Sequence, residues 1–408
     1  MLLQFMMKNV LSFKEESVLD ITAVTSYKEH PCNLMEFGKK EKAVRVAAIY
    51  GANASGKSNV CFAMHLFQSI VRKSFNTIKQ DSFSDNEQEV TAIQKYYKPF
   101  AFDKNKDTSE FEIIFVAENK EGNFEYKYGF EYNDTCIVSE WMYRKNFATG
   151  RTVTIYERNR NKMNFGPAVR KDCDGYKNQI PEETLVLSFF QKLKLNTTIF
   201  ETVYSKIMEI YVFHSDFKED SDFLNRTLPV IIDTHKEKLL HFLSGIDTGI
   251  KDIEYLKEGE HFLFFTYHKG KDEKNHKINL FSESDGTIKS IRLFIIMRFT
   301  ILTHRTIFAD ELNNKLHPLL LKFIVDLFYD VDSTAQLIYT THDTTLLDRH
   351  FFRRDQIWFV QKDEFGYSQL TSLSDFKVRS DSSFEKDYLS GVYGGIPSLH
   401  DFEMKGEK

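Results

Sequence analysis

An α/β fold with a mixed sheet, an antiparallel β-subdomain and an inserted helical lobe follows from three features of the chain. The nearly continuous apolar run at residues 43–50 stops at Gly51 and is followed, beyond Lys57, by a helical pattern. Two further apolar runs, at 306–309 and 336–341, lead into residues suited to chemistry: Asp310 and Glu311 after the first, His342 after the second. Several β-rich segments and then a helical stretch lie between these halves. Short apolar runs bounded by turn residues mark strands buried on both faces, as in a parallel sheet.

Taken in order, residues 2–7 and 17–22 read as two strands on either side of a turn at 12–16. Residues 43–50, AVRVAAIY, are the buried strand. After it, Val60, Ala63, Met64, Phe67, Ile70 and Val71 recur at helical spacing and give that helix one buried face. The polar stretch 80–97 reads as a mobile connector. Residues 110–116, 124–132, 136–143 and 153–158 are strands joined by short polar turns, an antiparallel meander. Residues 181–245 read mainly as helix, most clearly over 199–213 and 228–243. A strand at 262–268 precedes the charged turn KGKDEKNHK, and helix returns over 287–302. Strands follow at 306–309, 336–341 and 356–360. No internal repeat or long heptad run is present. The tail from 376 is polar and carries YLSGVYGGIP, to which the sequence alone assigns no role.

At 408 residues the chain is long enough for a core domain with a large insertion, and 38 Phe and 19 Tyr supply a packed interior. A net charge of -5 gives no overall bias toward nucleic acid. The four cysteines, Cys32, Cys61, Cys136 and Cys173, lack CxxC or metal-type spacing, which points to reduced thiols in the cytoplasm. No apolar run approaches the roughly 20 residues that cross a bilayer, and the N-terminus has no cleavage-site pattern, so no membrane partner is expected.

Gly51-Ala52-Asn53-Ala54-Ser55-Gly56-Lys57-Ser58 matches G-x-x-x-x-G-K-[ST] in the strand–loop–helix context that the pattern requires. Its glycines let successive N–H groups face phosphate oxygens, and the following helix adds its positive end. Lys57 is placed to reach the β- and γ-phosphates and Ser58 to ligate Mg²⁺. Asp310, at the end of a buried strand, suits a Mg²⁺ ligand, and Glu311 suits the residue that orients attacking water. Alone, such an acidic pair is more often a helix start; downstream of a phosphate loop it points to hydrolysis. His342 is placed to sense the γ-phosphate, although a lone histidine is usually structural.

With these residues in view, NVLSFKEE, GANASGKSN, SESDGT, DELNNKLHP and TTHD resemble, in that order, the ABC-type ATPases of the structural-maintenance and overcoming-lysogenization-defect groups. FRRDQIWFVQKD, the LSDF at 373–376 and YLSGVYGGIP extend the resemblance to the stand-alone ATPases of bacterial anti-phage loci, the RloA/AbiL-like group. The resemblance implies a P-loop NTPase with an ABC-type ATPase core, ATP and Mg²⁺ as cofactors, and a phosphate-contacting set that runs on to Asn59. It implies that Ser284, Gly286 and Thr287 belong to a signature loop acting on ATP held by a second copy, so that two copies form an ATP-sandwich homodimer. Read by itself, SESDGT also suits an ordinary helix cap. Asp285 departs from the usual glycine. Asn313 and Asn314 stand where an aspartate usually crosses the dimer, and Gln94 is the one candidate for the expected glutamine.

The expected division is an N-terminal core part with phosphate loop and β-subdomain (1–140), an inserted β-ribbon and helical lobe (141–280), a C-terminal core part (281–375) and a tail (376–408). The resemblance further implies an ATP-hydrolysing subunit of an anti-phage system that controls a separate effector, such as a nuclease. The alternative is a DNA-repair or DNA-end-binding ATPase of the RecF kind. DNA would then follow Arg144, Lys145, Arg151, Arg158, Arg160, Lys162, Arg170 and Lys171, a cluster that otherwise reads as a solvated ribbon. A transporter subunit and a non-hydrolysing scaffold are the remaining classes.

Overall fold

The chain begins with β1 (Leu2–Lys8) and β2 (Ser17–Asp20), which pair antiparallel. A hairpin of β3 (Leu34–Phe37) and β4 (Glu41–Val44) then leads into β5 (Val46–Tyr50). The single strand expected over 43–50 is therefore two. Arg45 breaks it: its N–H donates to the Asn33 carbonyl (2.9 Å) and its guanidinium holds the Leu34 and Ser333 carbonyls. The backbone thereby changes partner from one sheet to another. The computed structural model describes residues 1–79, 89–103, 107–119, 122–214, 221–246, 248–259, 261–314, 316–329, 333–379 and 382–396.

Next come α1 (Lys57–Lys73), β6 (Thr77–Lys79), β7 (Glu89–Thr91) and α2 (Ala92–Tyr96). The expected connector 80–97 thus contains a strand and a capped helix, while 80–88 lie outside the described residues. The meander is β8 (Ser109–Asn119), β9 (Gly122–Tyr132), β10 (Ile137–Asn146), β11 (Thr152–Asn159) and β12 (Lys162–Phe165). It joins β1 and β2 in one seven-stranded sheet, ordered β12-β11-β10-β9-β8-β1-β2. The expected boundary after residue 140 falls inside β10, so this sheet carries the chain past it.

Short helices α3 (Arg170–Cys173), α4 (Val186–Phe190) and α5 (Ile199–Met208) follow, then β13 (Tyr211–His214). The helix expected through 213 ends earlier, because Tyr211-Val212-Phe213 pair parallel with a later strand. The rest is α6 (Ser221–Gly245), β14 (Ile250–Glu258), β15 (His261–Lys269), β16 (Asn275–Asn279), α7 (Asp285–Leu302), β17 (Thr306–Asp310), α8 (Pro318–Asp326), β18 (Gln336–Thr340), β19 (Ile357–Lys362), β20 (Ser368–Ser372) and α9 (Phe384–Leu389). β16 takes up the last three residues of the expected charged turn, 275–277, because its exposed residues pair with one edge of β15.

The second large sheet runs β13-β17-β18-β5-β19-β20, parallel except for the antiparallel edge strand β20. α1 lies between the two sheets. A column of rings marks that packing: Phe67 of α1 touches Phe5 (5.9 Å), Phe111 (5.7 Å) and Phe130 (5.7 Å) of the antiparallel sheet, and Phe5 touches Phe308 of β17 (6.3 Å). The other face of the parallel sheet is covered by α6, α7 and α8 through Phe242, Ile291, Leu293 and Leu321. Apolar area buried on this scale is the main stabilising contribution, at about 25 cal/mol per Å².

Buried polar groups fix the insertion to the core. The Glu140 carboxylate accepts from the Tyr128 (3.1 Å) and Tyr156 (2.7 Å) hydroxyls and from the Val186 and Leu187 N–H groups that open α4. Burial pushes this carboxyl above the usual range, opposed by Arg158, Tyr156 and those N–H groups. Arg158 is 3% exposed and donates to the Arg160, Thr184, Pro181 and Glu182 carbonyls. Both are structural, which removes Arg158 from the expected basic face.

Candidate nucleotide site

Three neighbouring parallel strands, β17, β18 and β5, end at one edge of the sheet. There Gly51, Asp310 and the segment after Thr340 emerge side by side. The carboxyl ends of such strands are where α/β sheets bind ligands. At Gly51 an added Cβ would strike the Val360 carbonyl oxygen, and at Gly56 (φ +104°) it would strike the Ser368 and Ser12 hydroxyls. Glycine is required at both places by close approach, and at Gly56 also by its backbone angle. Ala54 takes a left-handed φ of 60° at the tip of the loop.

Lys57 opens α1 and is 6% exposed. Its Nζ donates to the Gly51 carbonyl (2.8 Å) and the Ala52 carbonyl (2.7 Å), folding back over the loop. Burial pulls its pKa below the usual lysine value, while the nearby carboxylates of Glu311 and Asp310 oppose the fall. The Ser55 hydroxyl is buried with no hydrogen-bond partner among the described residues. Two residues to which sequence reasoning gave no role hold the loop from behind. Asn59 Nδ2 donates to Ser12 Oγ (2.7 Å), and the Ser368 hydroxyl lies 2.7 Å from both the Ser12 hydroxyl and the Ser55 carbonyl. The signal for Ser12 lay in NVLSF; Ser368 sits on β20, a strand without an apolar run to reveal it.

Asp310 closes β17 and is 7% exposed. Its Oδ1 accepts from the Thr340 hydroxyl at 2.6 Å, and that hydroxyl accepts from the Glu311 N–H at 2.8 Å. Glu311 has φ 46°, a conformation costing a non-glycine residue roughly 1–2 kcal/mol. The turn leaves its side chain half-buried beside Lys57. Beyond Thr340, the Thr341 N–H pairs with the Ile49 carbonyl (3.0 Å) and Thr341 Oγ1 accepts the Asp343 N–H (3.0 Å), which leaves His342 exposed at the same edge. The structure therefore gathers residues 51–59, Asp310, Glu311 and His342.

The loop before α7 stands apart from that edge. Ser284 caps α7, its Oγ accepting the Thr287 N–H at 3.1 Å, and no hydrogen bond links Ser284, Gly286 or Thr287 to residues 51–59 among the described residues. Ser284, Gly286 and Thr287 line a cavity of about 670 Å³ together with Thr248, His317 and Phe323. Glu283, just before the cap, accepts from His268 Nε2 (2.7 Å) and from the Thr266 hydroxyl. Lys289 Nζ ties α7 to the Asn314 carbonyl (2.5 Å).

Gln94, the candidate glutamine, completes a capping box with Thr91 at the start of α2 and serves its own helix. Of the expected basic residues, Arg151, Arg160, Lys162, Arg170 and Lys171 are exposed. Arg144 stacks over Phe124 (4.4 Å), and Lys145 pairs with Glu125 (3.3 Å). Among the described residues no helix is long and apolar enough to cross a membrane.

Residues 46–179 and 181–348 match the family described as "AAA domain, putative AbiEii toxin, Type IV TA system". No curated protein matches the chain. Among solved structures, the chain is similar to the SMC head domain from Thermotoga maritima, at 13% identity over 91% of this chain and 98% of that one, with a TM-score of 0.39. It is also similar to an Smc head bound to the C-winged helix domain of ScpA, at 14% identity over 94% and 99%, with a TM-score of 0.44. A third is an Smc head with an extended coiled coil bound to the C-terminal domain of ScpA derived from Pyrococcus furiosus, at 13% identity over 96% and 99%, TM-score 0.38. The family match spans well over half of the chain, and the phosphate loop lies on the strand it requires; the chain belongs to this AAA-domain family and has the P-loop NTPase fold.

Proposed function

We propose that the chain binds and hydrolyses ATP at the loop 51–59, in a site completed by the Ser284–Thr287 segment of a second copy, and that it thereby controls a separate effector in anti-phage defence. The observation that carries the chemical part is the Thr340 bridge. One hydroxyl fixes an acid at a strand end and the backbone of the acid after it, beside a buried lysine on a glycine-cornered loop.

The residues fit Mg–ATP. Ser55 presents an unpartnered buried hydroxyl, the loop presents backbone N–H groups, and Lys57 rests on two carbonyls that phosphate oxygens can replace. Ser58 and Asp310 would hold the magnesium ion, whose chemistry is to neutralise charge on the transferred phosphoryl group. Glu311 holds and orients the attacking water as a hydrogen-bond acceptor. His342 donates toward the terminal phosphate, and Lys57 exchanges its carbonyl partners for phosphate oxygens. Ser284 and the Gly286 backbone, at the start of an 18-residue helix, offer an anion cradle to the other copy. Differential affinity of the paired form for ATP then converts nucleotide state into a change of assembly.

The defence role is supported by the family's toxin–antitoxin description and by the resemblance to ATPases of anti-phage loci. A nuclease is the effector class that reading favours. Phosphate release from wild type, Lys57→Ala and Glu311→Gln tests the chemical core. Turnover lost in both variants, with ATP still bound by Glu311→Gln, is expected. A wild type that binds Mg–ATP without releasing phosphate contradicts the hydrolytic reading. Affinity purification from cells carrying the native locus tests the rest: a co-purifying nuclease is expected, and ATP-dependent retention of DNA in its place would favour the RecF-like alternative.

A further inference from the structure

The segment YLSGVYGGIP has no part in the site described so far, yet it is built against that site from two directions. Tyr388 of α9 and Tyr393 beyond it sandwich the Phe359 ring, with centroids at 5.3 Å and 5.2 Å and nearly parallel planes. Tyr388 also lies 6.2 Å from Tyr50, the residue before Gly51. Gly391, Gly394 and Gly395 all take left-handed φ values (84°, 68° and 69°), which curl the chain back on itself. That curl carries Gly395 onto the phosphate loop: a Cβ there would lie 3.6 Å from the Gly51 Cα and 3.3 Å from the Val360 carbonyl oxygen. The buried Tyr388 hydroxyl fastens the turn by donating to the Gly395 carbonyl (3.0 Å). Burial pushes the Tyr388 phenol up to about 12, so it remains a donor at neutral pH.

The helix that leads into the segment, α9, reaches the His342 loop. The Thr344 hydroxyl, two residues past His342, donates to Glu385 Oε1 at 2.8 Å. Within the loop, Asp343 accepts from the Thr345 N–H (2.9 Å) and hydroxyl (2.6 Å), and Leu346 and Leu347 beyond it are buried in the core. Glu385 is thus the side chain that ties Thr344 to α9, a helix whose Phe384 and Tyr388 are 5% and 6% exposed.

We propose that this C-terminal element is part of the nucleotide site, with Glu385 positioning the His342 loop through Thr344 and the Gly394–Gly395 turn supporting the root of the phosphate loop at Gly51. The two contacts have different consequences. The phosphate loop grips ATP and ADP alike, whereas His342 bears only on the terminal phosphate, a step that rests on the function proposed above. Loosening the turn therefore weakens both nucleotides together. Cutting the Glu385–Thr344 bond lowers the preference for the triphosphate.

The test is calorimetric titration of the full chain with Mg–ADP and with a non-hydrolysable ATP analogue, alongside melting temperature. A hydroxyl-to-carboxylate bond is worth about one decade in an equilibrium constant. Thr344→Val and Glu385→Ala, each of which deletes the bond, should lower the ADP-to-analogue ratio of dissociation constants about five- to tenfold. Thr344→Ser, which keeps the hydroxyl, should restore most of the ratio. Tyr388→Phe, which keeps the ring sandwich, should raise both constants by the same factor, about two- to fivefold. A ratio unmoved in Thr344→Val and Glu385→Ala, in a wild type that binds both nucleotides, overturns the proposal and leaves the site reading intact. So does a ratio that falls in step with melting temperature and is not restored by Thr344→Ser. A wild type that binds neither nucleotide overturns the site reading and this proposal with it.

Discussion

Thr340 and Asp310 are joined across neighbouring parallel strands by a 2.6 Å hydrogen bond, and the same threonine oxygen accepts the Glu311 N–H at 2.8 Å. One side chain thereby fixes the carboxylate of one acid and the left-handed backbone of the next. Thr340→Val preserves shape and deletes both bonds. Turnover should fall about ten- to a hundredfold while nucleotide affinity changes by less than about threefold, since hydrogen bonds to charged groups are worth about 1.5–3 kcal/mol. Phosphate release and titration calorimetry read the two quantities separately; unchanged turnover would mean that strand pairing alone sets the acid residues.

Lys57 rests on the Gly51 and Ala52 carbonyls, contacts it would give up to hold phosphate in the proposed site. Lys57→Ala should weaken Mg–ATP binding about a hundredfold, the loss of a charge-assisted bond in a buried setting. The pH profile has a definite sign. Burial lowers the Lys57 pKa, so its charge is lost at lower pH than in a solvent-exposed lysine, and affinity should decline early on the alkaline side. Binding there should take up protons, because phosphate favours the charged form. Calorimetry in buffers of different ionisation enthalpy measures that uptake.

Ser284 serves as the cap of α7 in the single chain, accepting the Thr287 N–H. Ser284→Ala should cost about 1 kcal/mol of stability. Ser284→Asp keeps a cap and adds an anion where a partner's phosphate would come. The aspartate variant should therefore melt near wild type and bind ATP normally, yet lose ATP-dependent assembly and most turnover. Normal assembly in Ser284→Asp would place this loop outside the shared site.

Arg353 is 1% exposed, grips Asp355 through two bonds (2.9 and 2.7 Å) and donates to the Val24, Tyr27 and Glu29 carbonyls. The FRRDQ stretch is therefore a clamp holding the segment after β2 to the parallel sheet. Arg353→Leu leaves the Asp355 carboxylate buried without its charged partner, holding only the Val24 N–H, and should destabilise by about 3–5 kcal/mol, read by urea unfolding.

The parts of the site that were legible in the sequence are those whose chemistry is local. Residues 51–58 carry their loop geometry in their own glycines, and β17 and β18 announce themselves as short apolar runs ending in Asp310 and just before His342. What was not legible depends on partners far along the chain. Tyr211-Val212-Phe213 suit a helix end or a strand equally, and only pairing with β17 decides. Arg158 reads as surface charge until four carbonyls surround it. Ser12 and Ser368 meet behind the phosphate loop across 356 positions. The glycines of YLSGVYGGIP have meaning only once their turn is seen against Gly51.

In the proposed site a second copy completes the ATP pocket, and the mass in solution of Glu311→Gln tests this most directly. Light scattering after size exclusion, with and without Mg–ATP and with Lys57→Ala as the non-binding control, supplies the number. Glu311→Gln should double in mass only with Mg–ATP, while Lys57→Ala should not respond. A Glu311→Gln chain that stays monomeric at saturating Mg–ATP would contradict it.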